Sequence, residues 1–312
     1  HMTAYEICLV RVCSEMCKRD SNLVIAPASV ESLDGLGPTF NRVSCSGCHL
    51  KDGRGRPPKS LDEPMKAMVV RLSIPGVAND GGPLPHPNYG TQLQDKGILG
   101  VPKEGRASIL YEEVTGFFAD GESYSLRKPM YEFAEMSHGP LGEQVLYSGR
   151  VAPATHGLGL LEAVDEGLVL SKADPEDIDG DGISGTANWV WDPVVAKRAL
   201  GRFGWKANVA SLHQQVASAA FGDMGITTSI FPDQNCPPAQ KECSSAPGGG
   251  VPELDDVRLA KLVLYARSLA VPARRNVNDP TVMRGERLFA KAGCTAVSYT
   301  HLRAHETEAD HV

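Results

Sequence analysis

Two thiols and an imidazole stand together at Cys45-Ser46-Gly47-Cys48-His49. The spacing C-x-x-C-H suits the attachment of a c-type haem. Two cysteine sulfurs so placed can each form a thioether with a porphyrin vinyl group, and the histidine that follows turns its imidazole to the iron as proximal ligand. With eight cysteines in 312 residues, chance would produce the pattern roughly 0.006 times, so the spacing carries information. Two other uses of the same residues are weaker. A structural zinc half-site wants a second Cys/His pair at suitable spacing, and none stands close by. A redox-active C-x-x-C opens a helix after a buried strand, whereas these flanks are polar and Gly-rich. Haem c on Cys45, Cys48 and His49 is therefore expected, and its maturation outside the cytoplasm makes a periplasmic, exported protein the expectation.

Cys236-Pro-Pro-Ala-Gln-Lys-Glu-Cys243 fits that compartment. Six residues separate the two cysteines in a Pro-rich loop, which suits a small disulfide; two free thiols are the alternative. The run Asp177-Ile178-Asp179-Gly180-Asp181-Gly182-Ile183 matches the first half of a calcium loop. There Asp177, Asp179 and Asp181 would converge on one ion, with the Ile183 carbonyl next. Asn188 stands where a bidentate glutamate is usual, so a full EF-hand is not supported, and an acidic turn held by Asx hydrogen bonds is the alternative.

A second attachment motif begins and stops. Arg284 to Cys294 has the shape of a cytochrome c entry helix ending in a cysteine. The continuation wants cysteine at 297 and histidine at 298, where the chain has Val297 and Ser298. Cys294 is then the orphan of a second haem site. The string from Val297 looks like a translated sequencing adapter, a reading that leaves His301, His305 and His311 without function.

The elements that must position these groups are short. Hydrophobic residues make up 42% of the chain and charged residues 22%, enough for a real core. No run approaches eighteen apolar residues, which excludes a membrane-spanning helix. A net charge of −7 without a Lys/Arg cluster argues against a nucleic-acid partner. Gly and Pro, 32 and 22 residues, favour loops, with turn signals at Gly37-Pro38, Pro75-Gly76 and Asp120-Gly121. Helices are predicted near 61–70, 107–116 and 209–221. The clearest spans Glu253–Ala270, where Leu259, Leu262, Val263, Ala266 and Leu269 share a face, and another runs over Thr281–Ala292. The expected fold is mainly α, built of cytochrome-c-like helical domains with long ordered loops and a truncated second domain. Residues 1–33 are unassigned and possess no readable signal segment; 34–275 form the first haem domain; 276–296 start the second; 297–312 are the tail.

Over residues 34–296 the chain resembles the bacterial di-haem oxidoreductase family, distantly similar to di-haem cytochrome c peroxidases. The resemblance is carried by Gly35-Leu-Gly-Pro-Thr-Phe-Asn41, the attachment motif, Asp52-Gly-Arg-Gly-Arg-Pro-Pro58 and Arg71-Leu-Ser-Ile-Pro-Gly76. It continues through Arg150-Val-Ala-Pro153, Gly157-Leu-Gly-Leu-Leu-Glu-Ala163, Leu200-Gly-Arg-Phe-Gly-Trp-Lys206 and Asp223-Met-Gly-Ile-Thr227. It implies two haem groups, one where peroxide reacts and one that passes electrons in. A small redox protein or a quinol-linked donor would supply those electrons; a non-enzymatic electron carrier is the alternative function. Candidates for the sixth iron position are Met224, His156, His138 and Met136. Glu162, after an apolar stretch that would raise its pKa, is the candidate distal acid–base group. Arg106, Arg127 and Arg150 are candidates to pair with haem propionates, and Trp189, Trp191 and Trp205 are expected to pack in the core or at the haem edge.

Overall fold

The computed structural model describes residues 20–30, 33–178, 180, 182 and 184–295. Helix and strand account for 23% each, so the expectation of a mainly α fold is overturned. The strands form four small antiparallel sheets. β1 (Thr39–Phe40) pairs with β4 (Lys96–Gly97); β2 (Met68–Val77) lies between β3 (Pro83–Leu84) and β7 (Leu146–Val151); β5 (Arg106–Phe117) and β6 (Ser123–Ala134) form a long hairpin; β8 (Trp189–Asp192) pairs with β9 (Lys197–Leu200).

The β5–β6 hairpin shows why the helical reading of 107–116 failed. Ile109, Tyr111, Val114 and Thr115 are β-branched or aromatic, and such side chains fit a pleated surface better than a helix. Asp120-Gly121 closes the turn: the Phe118 N–H donates to Glu122 O at 2.8 Å, and Gly121 takes φ +89°, a conformation open to glycine at little cost. Registration then runs in step from Phe117↔Ser123 to Arg106↔Ala134. The expected helix at 61–70 is likewise a turn running into β2, where buried Met68, Val70 and Leu72 alternate with outward Val69 and Arg71.

Six α-helices lie among the described residues: α1 (Leu158–Ala163), α2 (Glu166–Leu170), α3 (Leu212–Met224), α4 (Lys241–Ser244), α5 (Asp256–Ser268) and α6 (Pro280–Lys291). Ser211 caps α3 by accepting from the Gln214 N–H, and Asp255 caps α5 by accepting from the Arg258 N–H at 2.8 Å. The helices expected near 209–221, 253–270 and 281–292 are thus α3, α5 and α6, with shifted ends.

Two cores result. The first packs α3 against α5 and β1 through Phe40, Leu212, Ala217, Met224, Leu259 and Val263. The second lies under one face of β2 and the base of the hairpin, with Met68, Val70, Leu72, Tyr89, Leu93 and Ile109. Gly37 lets the chain cross α3's end closely. A Cβ there would stand 2.2 Å from Gly225 O, and the Gly37 N–H donates to Met224 O at 2.9 Å. α6 has no buried residue, and no helix of the described residues is long and apolar enough to cross a membrane.

Candidate functional site

The attachment motif forms a single tight turn. Ser44 enters in extended backbone, and Cys45–Gly47 wind one turn of 3₁₀ helix. The N–H groups of Cys48 and His49 both donate to Cys45 O, at 3.1 and 3.0 Å. Residues three apart eclipse in such a turn, so Cys45 and Cys48 share a side. Cys45 leans on the first core, while Cys48 is 8% exposed. Burial, with a smaller push from Asp223, raises the Cys48 thiol to about 11 despite the Arg42 cation. A redox pair works through a thiolate of depressed pKa; Cys48 is the opposite.

His49 is oriented by its second nitrogen. Nδ1 lies 2.8 Å from Pro153 O. A carbonyl can only accept, so Nδ1 carries the proton and the ring lone pair resides on Nε2, the nitrogen a haem iron would take. Beyond the histidine the backbone turns left-handed at Lys51 and Asp52, φ 52° and 58°. Asp52 then ties three segments together. Its carbonyl accepts from the Thr155 N–H at 2.9 Å, and its carboxylate accepts from the Tyr265 hydroxyl of α5 at 3.2 and 3.3 Å. Gly55 N–H donates to Ala152 O at 2.9 Å, so the loop after the motif is laced to the exit of β7.

The face of the β2–β7 pair turned away from the second core carries Val69, Arg71 and Arg150, by the register Val69↔Arg150 and Arg71↔Ser148. Arg71 keeps accessible surface although protein surrounds it, and burial pushes its guanidinium below its ordinary value. Arg150 lines a cleft of about 350 Å³ with Arg54, Gly55, Pro57, Val151 and Trp205. Arg54 sits 5.3 Å over the Trp205 ring, whose Nε1–H donates to Val151 O at 2.7 Å. A thiol pair, an oriented imidazole and two cations on one face of the β2–β7 pair fit a haem, with Cys45, Cys48 and His49 as the residues that would hold it.

The other expected residues are placed elsewhere or otherwise. Glu162 does not have the raised pKa expected of it. Burial alone would raise it, but the Arg267 ion pair and the Leu212 N–H, donating to Oε1 at 2.8 Å, outweigh burial and hold it below the usual carboxylate range. It tethers α1 to α3 and α5. Met224 is 8% exposed within the first core. Met136 and His138 belong to the neighbourhood of Tyr89 and the second core, and His156 is half-buried just before α1. Arg106 pairs with Glu135 at 3.0 Å and Arg127 lies over Tyr111, so of the three expected arginines only Arg150 lies by the motif. Trp189, Trp191 and Trp205 are 43%, 40% and 48% exposed, not core. Cys236 and Cys243 are joined in a disulfide, with Cα atoms 5.6 Å apart. The Asp177 carboxylate accepts from the Gly182 N–H at 3.1 Å, while Asp179, Asp181 and Ile183 lie outside the described residues, as does the tail from 297. Cys294 is exposed beyond α6.

Pro153, Asp52, Tyr265 and Arg71 were not singled out from sequence. Arg71 alone had a readable signal, a cation at the polar position of the apolar alternation in β2. His213 on α3, whose buried Nε2 has no hydrogen-bond partner, had none.

Such a site is of the kind a haem-binding oxidoreductase would need. A family model described as "Di-haem oxidoreductase, putative peroxidase" matches residues 13–310, beyond both ends of the 34–296 span. The chain belongs to the di-haem oxidoreductase family. No curated protein and no solved structure matches it.

Proposed function

We propose that the chain is a periplasmic c-type haem oxidoreductase working as a peroxidase, with haem held covalently by Cys45 and Cys48 and ligated by His49. The observation that carries this is the 2.8 Å bond between His49 Nδ1 and Pro153 O. A backbone acceptor on the far nitrogen fixes the ring and raises the basicity of the ligating one, the usual support given to a metal-bound histidine. Bound there, the group would supply one-electron exchange and, with an open sixth position, peroxide reduction. The chain's own residues do the positioning. Asp52 anchors the turn to α5 through Tyr265, and Gly55 and Thr155 hold the β7 exit against it. Cys294 is the orphan of a second attachment site, and a small redox protein or a quinol-linked donor would supply the electrons.

The test is pyridine haemochrome quantitation on protein expressed with periplasmic haem maturation, followed by spectra with and without peroxide. One covalent haem with a high-spin, peroxide-responsive band is expected. A low-spin spectrum indifferent to peroxide would leave an electron carrier. No covalent haem in the native chain, or equal attachment in Cys45→Ala/Cys48→Ala, would overturn the assignment.

A further inference from the structure

Arg71 and Arg150 are diagonal neighbours on one face of the β2–β7 pair. In an antiparallel pair, diagonal side chains stand about 7–8 Å apart, within reach of one another for long residues. Two cations so close repel, and Arg150 does act on Arg71 in that sense. Neither forms an ion pair with any carboxylate among the described residues. Asp223 is near enough to favour the charged guanidinium of Arg71, but its Oδ1 is engaged by Gln92 Nε2 at 2.9 Å. Two such cations on an outward face, with no bonded carboxylate, are free to take an anion that comes from outside the chain.

The groups facing Gly222 are polar. A Cβ built on Gly222 would meet Gln92 Oε1 at 3.8 Å and Arg71 Nη1 at 4.0 Å, and nothing nearer. Gln92 is 3% exposed, and its Oε1 has no hydrogen-bond partner. The Gln92 amide oxygen and the Arg71 guanidinium therefore lie on the same side of Gly222, and of the two only the guanidinium can take an anion. That side adjoins the attachment turn, because Asp223, held by Gln92 Nε2 at 2.9 Å, accepts from the Asn41 and Arg42 N–H groups just ahead of the turn at 2.9 and 3.1 Å. The planar fork of arginine is suited to a carboxylate taken through two parallel hydrogen bonds.

We propose that Arg71 and Arg150 form a carboxylate clamp that receives the propionates of the haem attached at Cys45 and Cys48. The inference rests on the haem reading above. Arg71 takes one propionate, and Arg150, which lines the cleft with Arg54 and Trp205, takes the other. Both are positioning residues, and their charges also set the redox balance of the group they hold. A cation beside the haem disfavours its oxidised, more positive form, so removing it must move the midpoint potential to more negative values.

The experiment is spectroelectrochemical titration of the haem-loaded chain, native and as Arg71→Gln, Arg150→Gln and Arg71→Lys. Both glutamine variants are expected to titrate at more negative potential, and the lysine variant to recover most of the native value. Arg150→Gln, at the open cleft, carries the test should Arg71→Gln fail to fold. In parallel, benzoate is titrated into each protein as a free carboxylate probe. An unchanged potential in folded glutamine variants overturns the clamp. So does an unchanged potential accompanied by tenfold weaker benzoate binding, which would give the arginines to a substrate carboxylate instead. Native protein lacking covalent haem would overturn the haem reading and the clamp together, whereas attached haem of unchanged potential refutes the clamp alone.

Discussion

Glu104 gives the structure a pH dependence that can be worked out in advance. Its carboxyl is 1% exposed, and it holds the disulfide loop to the rest of the fold. Oε2 accepts from the Gln94 N–H at 2.7 Å and Oε1 from Gln240 Nε2, just before α4, at 2.5 Å. Burial outweighs both hydrogen bonds and raises the carboxyl from 4.5 to about 8. Between those values the unfolded chain has released the proton while the folded chain keeps it, so the folded state binds more protons and loses stability as pH rises. The loss begins above 4.5 and is complete above about 8, and at about 1.4 kcal/mol per pH unit it reaches at most ~5 kcal/mol. Glu104→Gln has no proton to lose. Its altered hydrogen bonding adds an offset, but one independent of pH. Urea unfolding of both proteins at pH 5, 6.5 and 8 separates the two effects. The stability of Glu104→Gln relative to the native chain should climb by about 2–5 kcal/mol from pH 5 to pH 8. A difference constant to within about 0.5 kcal/mol over that range would show that Glu104 ionises in the folded state much as it does in the unfolded one, and the burial argument would fall.

Two further substitutions test the frame around the site. Glu162→Gln should cost about 1 kcal/mol at neutral pH by weakening the half-exposed pair with Arg267. Because the folded carboxyl is depressed, the difference should vanish as pH falls through its folded pKa, and a difference that persists in acid would refute the tether. Leu259→Ala, at 0% exposure between α3 and α5, should cost about 2–5 kcal/mol in urea unfolding; a loss below about 1 kcal/mol would mean that the two helices do not share one rigid core.

Legibility in this chain follows how local the physics is. The attachment turn could be read because two covalent bonds and one axial bond to a single rigid ring fix three residue types within five positions. The disulfide was equally local, a short Pro-rich loop between two cysteines. α3, α5 and α6 could be read from apolar periodicity and from Ser211, Asp255 and Asp279 at their starts. The hairpin was missed although Asp120-Gly121 was in view as a turn. That dipeptide marks a hairpin only when the segments on both sides are weighed as strands, and on β6 the alternation is blurred because both its faces are largely exposed. Missing it put the fold in the wrong class.

The support of His49 was illegible for a deeper reason. Its partner is a carbonyl 104 residues away in sequence, and every residue has a carbonyl, so no side-chain type announces the contact. Only the register of β7 against β2, with Met68 facing Val151, brings Pro153 to the imidazole. The same register aims Arg71 and Arg150 away from the second core. A one-residue slip of β2 would turn Arg71 to the apolar core, leave Arg150 on the opposite face, and send Met68, Val70 and Leu72 to the motif side. Burial of those three side chains therefore holds the pairing that orients the candidate ligand and, with it, the two cations beside it.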